Sequence, residues 1–271
     1  MIAIHEQEFK QFACYIKSHY GIHLKSEKKT LIEGRLGSVI ASMNMDSLTD
    51  YLEYVKSDCS GQAASIMLDR ITTNYTFFMR EPAHFQFFKQ MVLPRLADTV
   101  RDKDLRIWSA ACATGEEPYS LAMLIDEFFG VHKSEWDTTL LATDLSQGAL
   151  ATAKAGIYSN DHIADLPGAW RKKYFNAYDT ERSILSEQIR KEVIFSNLNL
   201  MTPKFPFRKN MHVIFCRNVM IYFDSETKEK LIQRLYDITE PGGFLFIGHS
   251  EGLNRARTPY KYIMPAVYMK E

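Results

Sequence analysis

The chain has 271 residues, 33 Lys+Arg against 33 Asp+Glu for a formal net charge of +0, 46% hydrophobic residues and 24% charged ones. This is the composition of an ordinary soluble globular protein, and it argues against nucleic acid as the main partner, since such binders usually carry a basic excess. No apolar run approaches the roughly 20 residues that span a bilayer, so no membrane insertion is expected. The opening MIAIHEQEFKQF turns polar too early for a signal peptide, and Cys14, Cys59, Cys112 and Cys216 have no metal-type spacing. A reducing cytoplasm and no metal are the expectation. The length suits one sizeable α/β domain with a smaller companion.

Phe9, Phe12, Ala13, Ile16 and Tyr20 fall on one helical face, and Gly21 stands where that helix would stop. Ile32, Leu36, Val39, Ile40 and Met43 make a second stripe, with Lys28, Lys29 and Arg35 off it, so the second helix shows solvent a basic side. Ser47 with Asp50 has the form of a capping box for a third helix through Val55, and residues 63–71 supply a fourth. Short helices with short links predict an all-helical domain over 1–72. The second domain, 73–271, opens with a linker and first helix over 73–94. There Pro82 suits a helix start, and Asn74, Thr76 and Arg80 precede it.

Strands and helices then alternate: strand 105–109, helix 116–129, strand 138–143 and helix 146 to about 155. Residues 157–192 break the rhythm and mark an insertion, with a subdomain at about 163–192. The strands VIFSNL and MHVIFCRN and a helix over 225–238 resume it. Pro241-Gly242-Gly243 reads as a turn before the strand FLFIG, and KYIMPAVYMK suits final antiparallel strands with Pro265 at an edge or bend. Alternation of this kind predicts a parallel sheet.

The chemistry is concentrated in LRIWSAACATGEEPYSL, residues 105–121, which reads as a buried strand, a tight loop and a helix. Pro118 fits the first helical turn, and Glu116 and Glu117 sit at the positive end of the helix dipole. Open α/β sheets bind ligands at such strand ends, with Gly115 easing the approach. With one glycine the loop lacks a pyrophosphate cradle, which sets a nicotinamide oxidoreductase far down the order. Glu117 can take a cationic amine, and Asp144, ending the strand TTLLATD, can accept both hydroxyls of a ribose. Either acid alone reads more readily as a dipole partner or a cap. Together, at successive strand ends, they fit an adenosine that carries an amino acid. Asn199 and Leu200 would frame its adenine, by an amide at one edge and an apolar side chain over one face. Arg217 and Asn218 end the next strand at the same mouth, and Tyr222 follows. Cys112 and Cys216 read as small packing residues, and the histidines never pair at metal spacing.

The strings ITTNYTFFMRE, WSAACATGEEPYSLAM, ATDLS, NLNLM and FCRNVMIYF, in this order and spacing, resemble the chemotaxis receptor glutamate methyltransferases, the CheR family. The resemblance implies a Rossmann-like S-adenosylmethionine-dependent methyltransferase with a seven-stranded, mostly parallel sheet, a small N-terminal helical domain and an inserted antiparallel β-subdomain. It implies S-adenosylmethionine as cofactor, S-adenosylhomocysteine as product, and γ-glutamyl methyl esters formed by a monomer on methyl-accepting receptors for sensory adaptation. By the same resemblance Asn74, Thr76 and Arg80 contact the cofactor. Lys28, Lys29 and Arg35 would dock acidic receptor helices, Arg35 matching the family's most characteristic arginine while Ala41 replaces part of the basic face. Some members dock a receptor-tail peptide on the β-subdomain. Here residues 169–241 contain no glycine, which tight hairpin turns favour, and that counts against tail docking.

Methyl transfer to a carboxylate needs no general base, because a glutamate with a pKa of about 4.3 is already ionised at neutral pH. Alignment, worth roughly 7–11 kcal/mol, and desolvation of the nucleophile then carry the rate. Arg80, as an orienting cation, and Tyr222, over the pocket, are the positioning candidates. Two other readings stay open: a related methyltransferase of another signalling protein, and a non-catalytic module sensing S-adenosylmethionine or its product. Intact Arg80 and Tyr222 favour an enzyme.

Overall fold

The computed structural model describes residues 4–271; the first three, which open the stretch read for a signal peptide, lie outside it. Helices α1 (Glu6–Tyr20), α2 (Lys29–Ser42), α3 (Leu48–Ser57) and α4 (Gln62–Ile71) form the bundle. Gly21 ends α1 with φ 73° and donates its N–H to Lys17 O, and the Ser47 hydroxyl caps α3 by accepting from the Asp50 N–H at 3.0 Å. Phe9, Phe12 and Ile16 of α1 are buried with Ile32, Leu36 and Ile40 of α2, as the two stripes require.

Helix α5 (Pro82–Phe87) passes through a π-helical segment, Phe88–Val92, into α6 (Leu93–Thr99). There follow β1 (Ile107–Ala110), α7 (Glu116–Phe129), β2 (Leu140–Asp144), α8 (Gln147–Ala155), β3 (Ile157–Ser159), α9 (Gly168–Tyr174), β4 (Phe175–Ala177), β5 (Arg182–Leu185), α10 (Glu187–Lys191) and β6 (Val193–Asn197). The chain ends with β7 (Met211–Cys216), α11 (Ser225–Asp237), β8 (Thr239–Ile247), β9 (Lys261–Met264) and β10 (Val267–Met269). Among the described residues seven strands form one sheet in the order β6-β2-β1-β7-β8-β10-β9, parallel except that β10 runs against both neighbours. The order reverses beside β1, whose partners are β2 and β7, and this opens a crevice at their carboxyl ends.

Both faces of this sheet are covered. In β7, Val213 and Phe215 join the core shared with α5, α6 and α7, while Ile214 and Cys216 join the core shared with the helical bundle and α11. That is why MHVIFC is buried along its whole length, and apolar but for His212, rather than alternating. The bundle is stitched to the sheet domain beside the crevice. Ile22 bridges Phe223, the His23 N–H donates to Tyr222 O at 2.7 Å, and Lys17 pairs with Asp224 at 2.6 Å.

Three expectations change in detail. Pro241-Gly242-Gly243 lies inside β8 as an irregularity between the pairs Met211–Thr239 and Val213–Phe244, not as a turn before it. A Cβ on Gly243 would come within 2.8 Å of two carbonyl oxygens, those of Glu240 and His212. The small antiparallel sheet, β3-β5-β4, begins at Ile157, ahead of the bound of 163, because β3 is three residues long and follows the Gly156 helix end directly. Its β4–β5 turn needs no glycine: the Asp179 carboxylate accepts the N–H groups of Glu181 at 3.0 Å and Arg182 at 2.8 Å. The lack of glycine is therefore no bar to a hairpin here.

Candidate active site

The loop after β1 is built on left-handed backbone. Ala111 has φ 62°, Ala113 47° and Gly115 96°, and each alanine in that region is held at a cost of about 1–2 kcal/mol. Hydrogen bonds hold it: the Cys112 N–H donates to Thr143 O at 2.9 Å, and the Ala113 N–H to Asp144 Oδ2 at 2.8 Å. Ala111, Cys112 and Ala113 face the cleft. Gly115 does not; its missing Cβ would lie 2.8 Å from Ala153 Cβ and 3.2 Å from the Tyr158 hydroxyl. The glycine lets the loop pack on α8, where a ligand approach had been expected.

The two adjacent acids part company. Glu117 faces the cleft, accepting from the Ser109 hydroxyl at 2.7 Å and from Arg217 Nη1 at 2.8 Å. Glu116 is buried toward the small sheet, where it bonds His162 Nε2 at 2.8 Å and raises the pKa of that histidine. Asp144, in the cleft, accepts from the Ala113 and Ser146 N–H groups, both at 2.8 Å. Burial pushes its carboxyl up against the pull of these donors.

Arg217 lines the same cleft, yet its side chain is only 2% exposed. It is clamped between Glu117 and Glu81, 3.0 Å from the latter, donates to Arg80 O, and lies 5.4 Å from the Phe85 ring centre. Glu81 and Glu251 are the site residues that sequence reasoning missed. Burial alone would raise the Glu81 carboxyl; Arg217 overrides it and holds the group low. Glu251, 1% exposed, accepts the N–H groups of Gly248 at 2.7 Å, Asn218 at 2.8 Å and Ile221 at 3.1 Å, and so shapes the segment carrying Arg217 through Tyr222. The signal was present only as GHSEG, a polar run after a buried strand. The fold also pairs histidines that sequence spacing kept apart: His84 and His249 have ring centres 4.6 Å apart. Burial pushes the pKa of His84 down to about 4, and the neighbouring Glu81 is already balanced by Arg217.

Asn74, Thr76, Arg80, Asn199, Leu200, Asn218 and Tyr222 all line the cleft with Asp144 and Glu117. Arg80 Nη1 donates to Tyr75 O at 2.8 Å, and the Tyr222 hydroxyl donates to Thr73 O across a long 3.4 Å. The Asn199 amide is engaged within the protein, donating to His19 O at 2.7 Å and accepting from the Met201 N–H at 2.8 Å. It ties α1 to the sheet domain. Including its open mouth and the solvent space in it, the cleft takes in about 1050 Å³.

The basic face is less open than its sequence suggests. Lys28 is exposed and Lys29 half-buried. Arg35 folds back to donate to the carbonyls of Ile71 at 3.1 Å and Thr72 at 3.2 Å and to the Thr73 hydroxyl at 3.3 Å. Unpaired carbonyls at the end of α4 attract a cation, and Arg35 caps that end.

Comparison with known proteins matches residues 7–72 to the CheR methyltransferase all-alpha domain and residues 74–269 to the CheR methyltransferase SAM-binding domain. A chemotaxis protein methyltransferase of Borreliella burgdorferi is 37% identical over 99% of this chain and 96% of its own. Chemotaxis protein methyltransferase 1 of Pseudomonas aeruginosa is 35% identical over 94% of each. The chemotaxis protein methyltransferase of Escherichia coli is 30% identical over 98% of this chain and 92% of its own. The cleft suits S-adenosylmethionine: a carboxylate ends β2, a second faces the loop, Leu145, Leu198 and Leu200 give an apolar wall, and no glycine-rich phosphate cradle is present. With family matches over both halves of the chain and a cleft of this chemistry, the chain belongs to the CheR family and is an S-adenosylmethionine-dependent methyltransferase.

Proposed function

We propose that this enzyme methylates glutamate side chains of chemotaxis receptors, forming γ-glutamyl methyl esters for sensory adaptation. What carries the proposal is one cleft lined by Arg80 and Tyr222 as well as by the strand-end acids. The relatives are named as chemotaxis protein methyltransferases, which supports a substrate in chemotaxis. We further propose a division near residue 72, with the helical domain facing the receptor's cytoplasmic helices through Lys28, Lys29 and Arg35. The protein works as a monomer in the cytoplasm; no described helix is long and apolar enough to cross a membrane.

S-adenosylmethionine, when bound, supplies a methyl group made electrophilic by its sulfonium. Asp144 accepts from the ribose hydroxyls, Asn199 and Leu200 border the adenine, and Glu117, Asn74, Thr76 and Asn218 hold the amino-acid end. Gly115 and Arg217 act from behind, one by packing the loop on α8 and the other by anchoring Glu117. The incoming glutamate is already charged and needs no base. Arg80 keeps N–H donors for that carboxylate, which aligns it without removing its charge. Tyr222 gives up its long bond to Thr73 O and offers its hydroxyl to the same group, while the walls of the cleft exclude water. Incubation with methyl-labelled cofactor and receptor-bearing membranes tests this. Label is expected on the receptors; label on other proteins alone, or on none, overturns it.

A further inference from the structure

Large apolar side chains exposed singly need no explanation, but a group of them around one opening does. Most such residues here are scattered over separate elements. Tyr75, 69% exposed, and Phe77, 40% exposed, instead sit together on the cleft, with ring centres 5.9 Å apart. Ile221, 51% exposed, is the neighbour of the cleft-lining Tyr222. Arg80 therefore has exposed aromatic rings beside it in space, and Tyr222 an exposed apolar neighbour in the chain. The guanidinium of Arg80 lies 5.9 Å from the Tyr75 ring centre and 6.0 Å from that of Phe77.

A carboxylate nucleophile has to shed water before it reacts, and an open mouth with one cation in it does not achieve that. We propose that Tyr75, Phe77 and Ile221 form an apolar rim that seats the substrate helix around its methyl-accepting glutamate. The occupant is an amphipathic receptor helix with small or aliphatic residues about one turn on either side of that glutamate, positions that share its face at i±3 and i±4. Arg80 answers the charge and the rim covers its apolar neighbours. The rim rests on the proposed reaction and names what determines its specificity.

The test is steady-state methylation of receptor-containing membranes by the wild type, by a Tyr75→Ser/Phe77→Ser double variant and by Ile221→Ser, with S-adenosylhomocysteine affinity measured by calorimetry. Ile221→Ser leaves the ring contacts of Arg80 intact. Losing the burial of one such side chain predicts a receptor KM raised about tenfold with no dependence of the increase on salt, and, in Ile221→Ser, which leaves the cleft lining intact, with cofactor affinity unchanged. An unaltered receptor KM in both variants overturns the rim while leaving the reaction standing. So does a fall in kcat alone, which would mean that the rings only steady Arg80. A wild-type protein that binds S-adenosylhomocysteine yet methylates no receptor removes the reaction and the rim together.

Discussion

Glu117 and Arg217 form an ion pair of 2.8 Å that joins the start of α7 to the end of β7 beneath the cleft. Arg217 is held on its other side by Glu81 at 3.0 Å, so one buried cation balances two carboxylates. Removing it leaves both without a cation, Glu117 keeping the Ser109 hydroxyl and Glu81 the Asn218 amide and the His249 N–H. Arg217→Met is expected to cost about 3–5 kcal/mol of stability, the range for breaking a buried pair from one side. Urea denaturation measures it, and a loss no larger than that of a typical surface substitution would contradict the clamp.

Asp144→Ala removes the acceptor proposed for the ribose. A lost hydrogen bond to a charged group is worth about 1.5–3 kcal/mol, which is tenfold or more in affinity. Calorimetry with S-adenosylhomocysteine is the check. The variant also releases the Ala113 and Ser146 N–H groups, so its fold is verified alongside by circular dichroism. Unchanged affinity in a folded protein would show that the ribose lies elsewhere.

Tyr222→Phe keeps the ring and deletes only a hydroxyl whose bond to Thr73 is 3.4 Å long. Little stability is at stake in so weak a bond, so the variant should melt within a degree or two of the wild type while its kcat for receptors falls about tenfold or more. Arg80→Ala should behave likewise. Equal kcat in Tyr222→Phe would return that residue to a packing role.

The elements that were legible in the sequence are those set by local pattern. The stripe of Phe9, Phe12 and Ile16, the Ser47 cap and the run MHVIFC each announce a helix face, a helix start and a doubly buried strand. The strand-end acids Glu117 and Asp144 were legible for the same reason, since each stands where its strand or helix changes. What was not legible depends on partners distant in the chain. Gly115 is explained by Ala153 and Tyr158, Arg35 by the carbonyls of α4, Asn199 by His19, and Glu251 by the amides of Asn218 and Ile221. Local periodicity carries no information about such contacts.

The capping role of Arg35 separates two effects that a single basic face would merge. Arg35→Glu sets a carboxylate against the end of α4 and should lower the melting temperature and slow methylation at every salt concentration. Lys28→Glu, on an exposed side chain, should leave melting alone and slow receptor methylation chiefly at low salt, where the Debye length exceeds about 8 Å. Methylation rates across a salt series, paired with thermal melts, make the comparison. If Lys28→Glu shows no salt-dependent loss, receptor docking uses another surface.

The central claim is that a receptor carboxylate becomes a methyl ester. Its most direct measurement takes a receptor cytoplasmic fragment methylated with labelled cofactor, maps the label by peptide mass spectrometry and treats a second portion with mild alkali. The label is expected on glutamate side chains, released by alkali as methanol, and absent from fragments whose accepting glutamates are replaced by alanine. Label on lysine, arginine or cysteine that survives alkali, or a wild-type enzyme that binds cofactor but leaves every receptor glutamate free, would contradict the account.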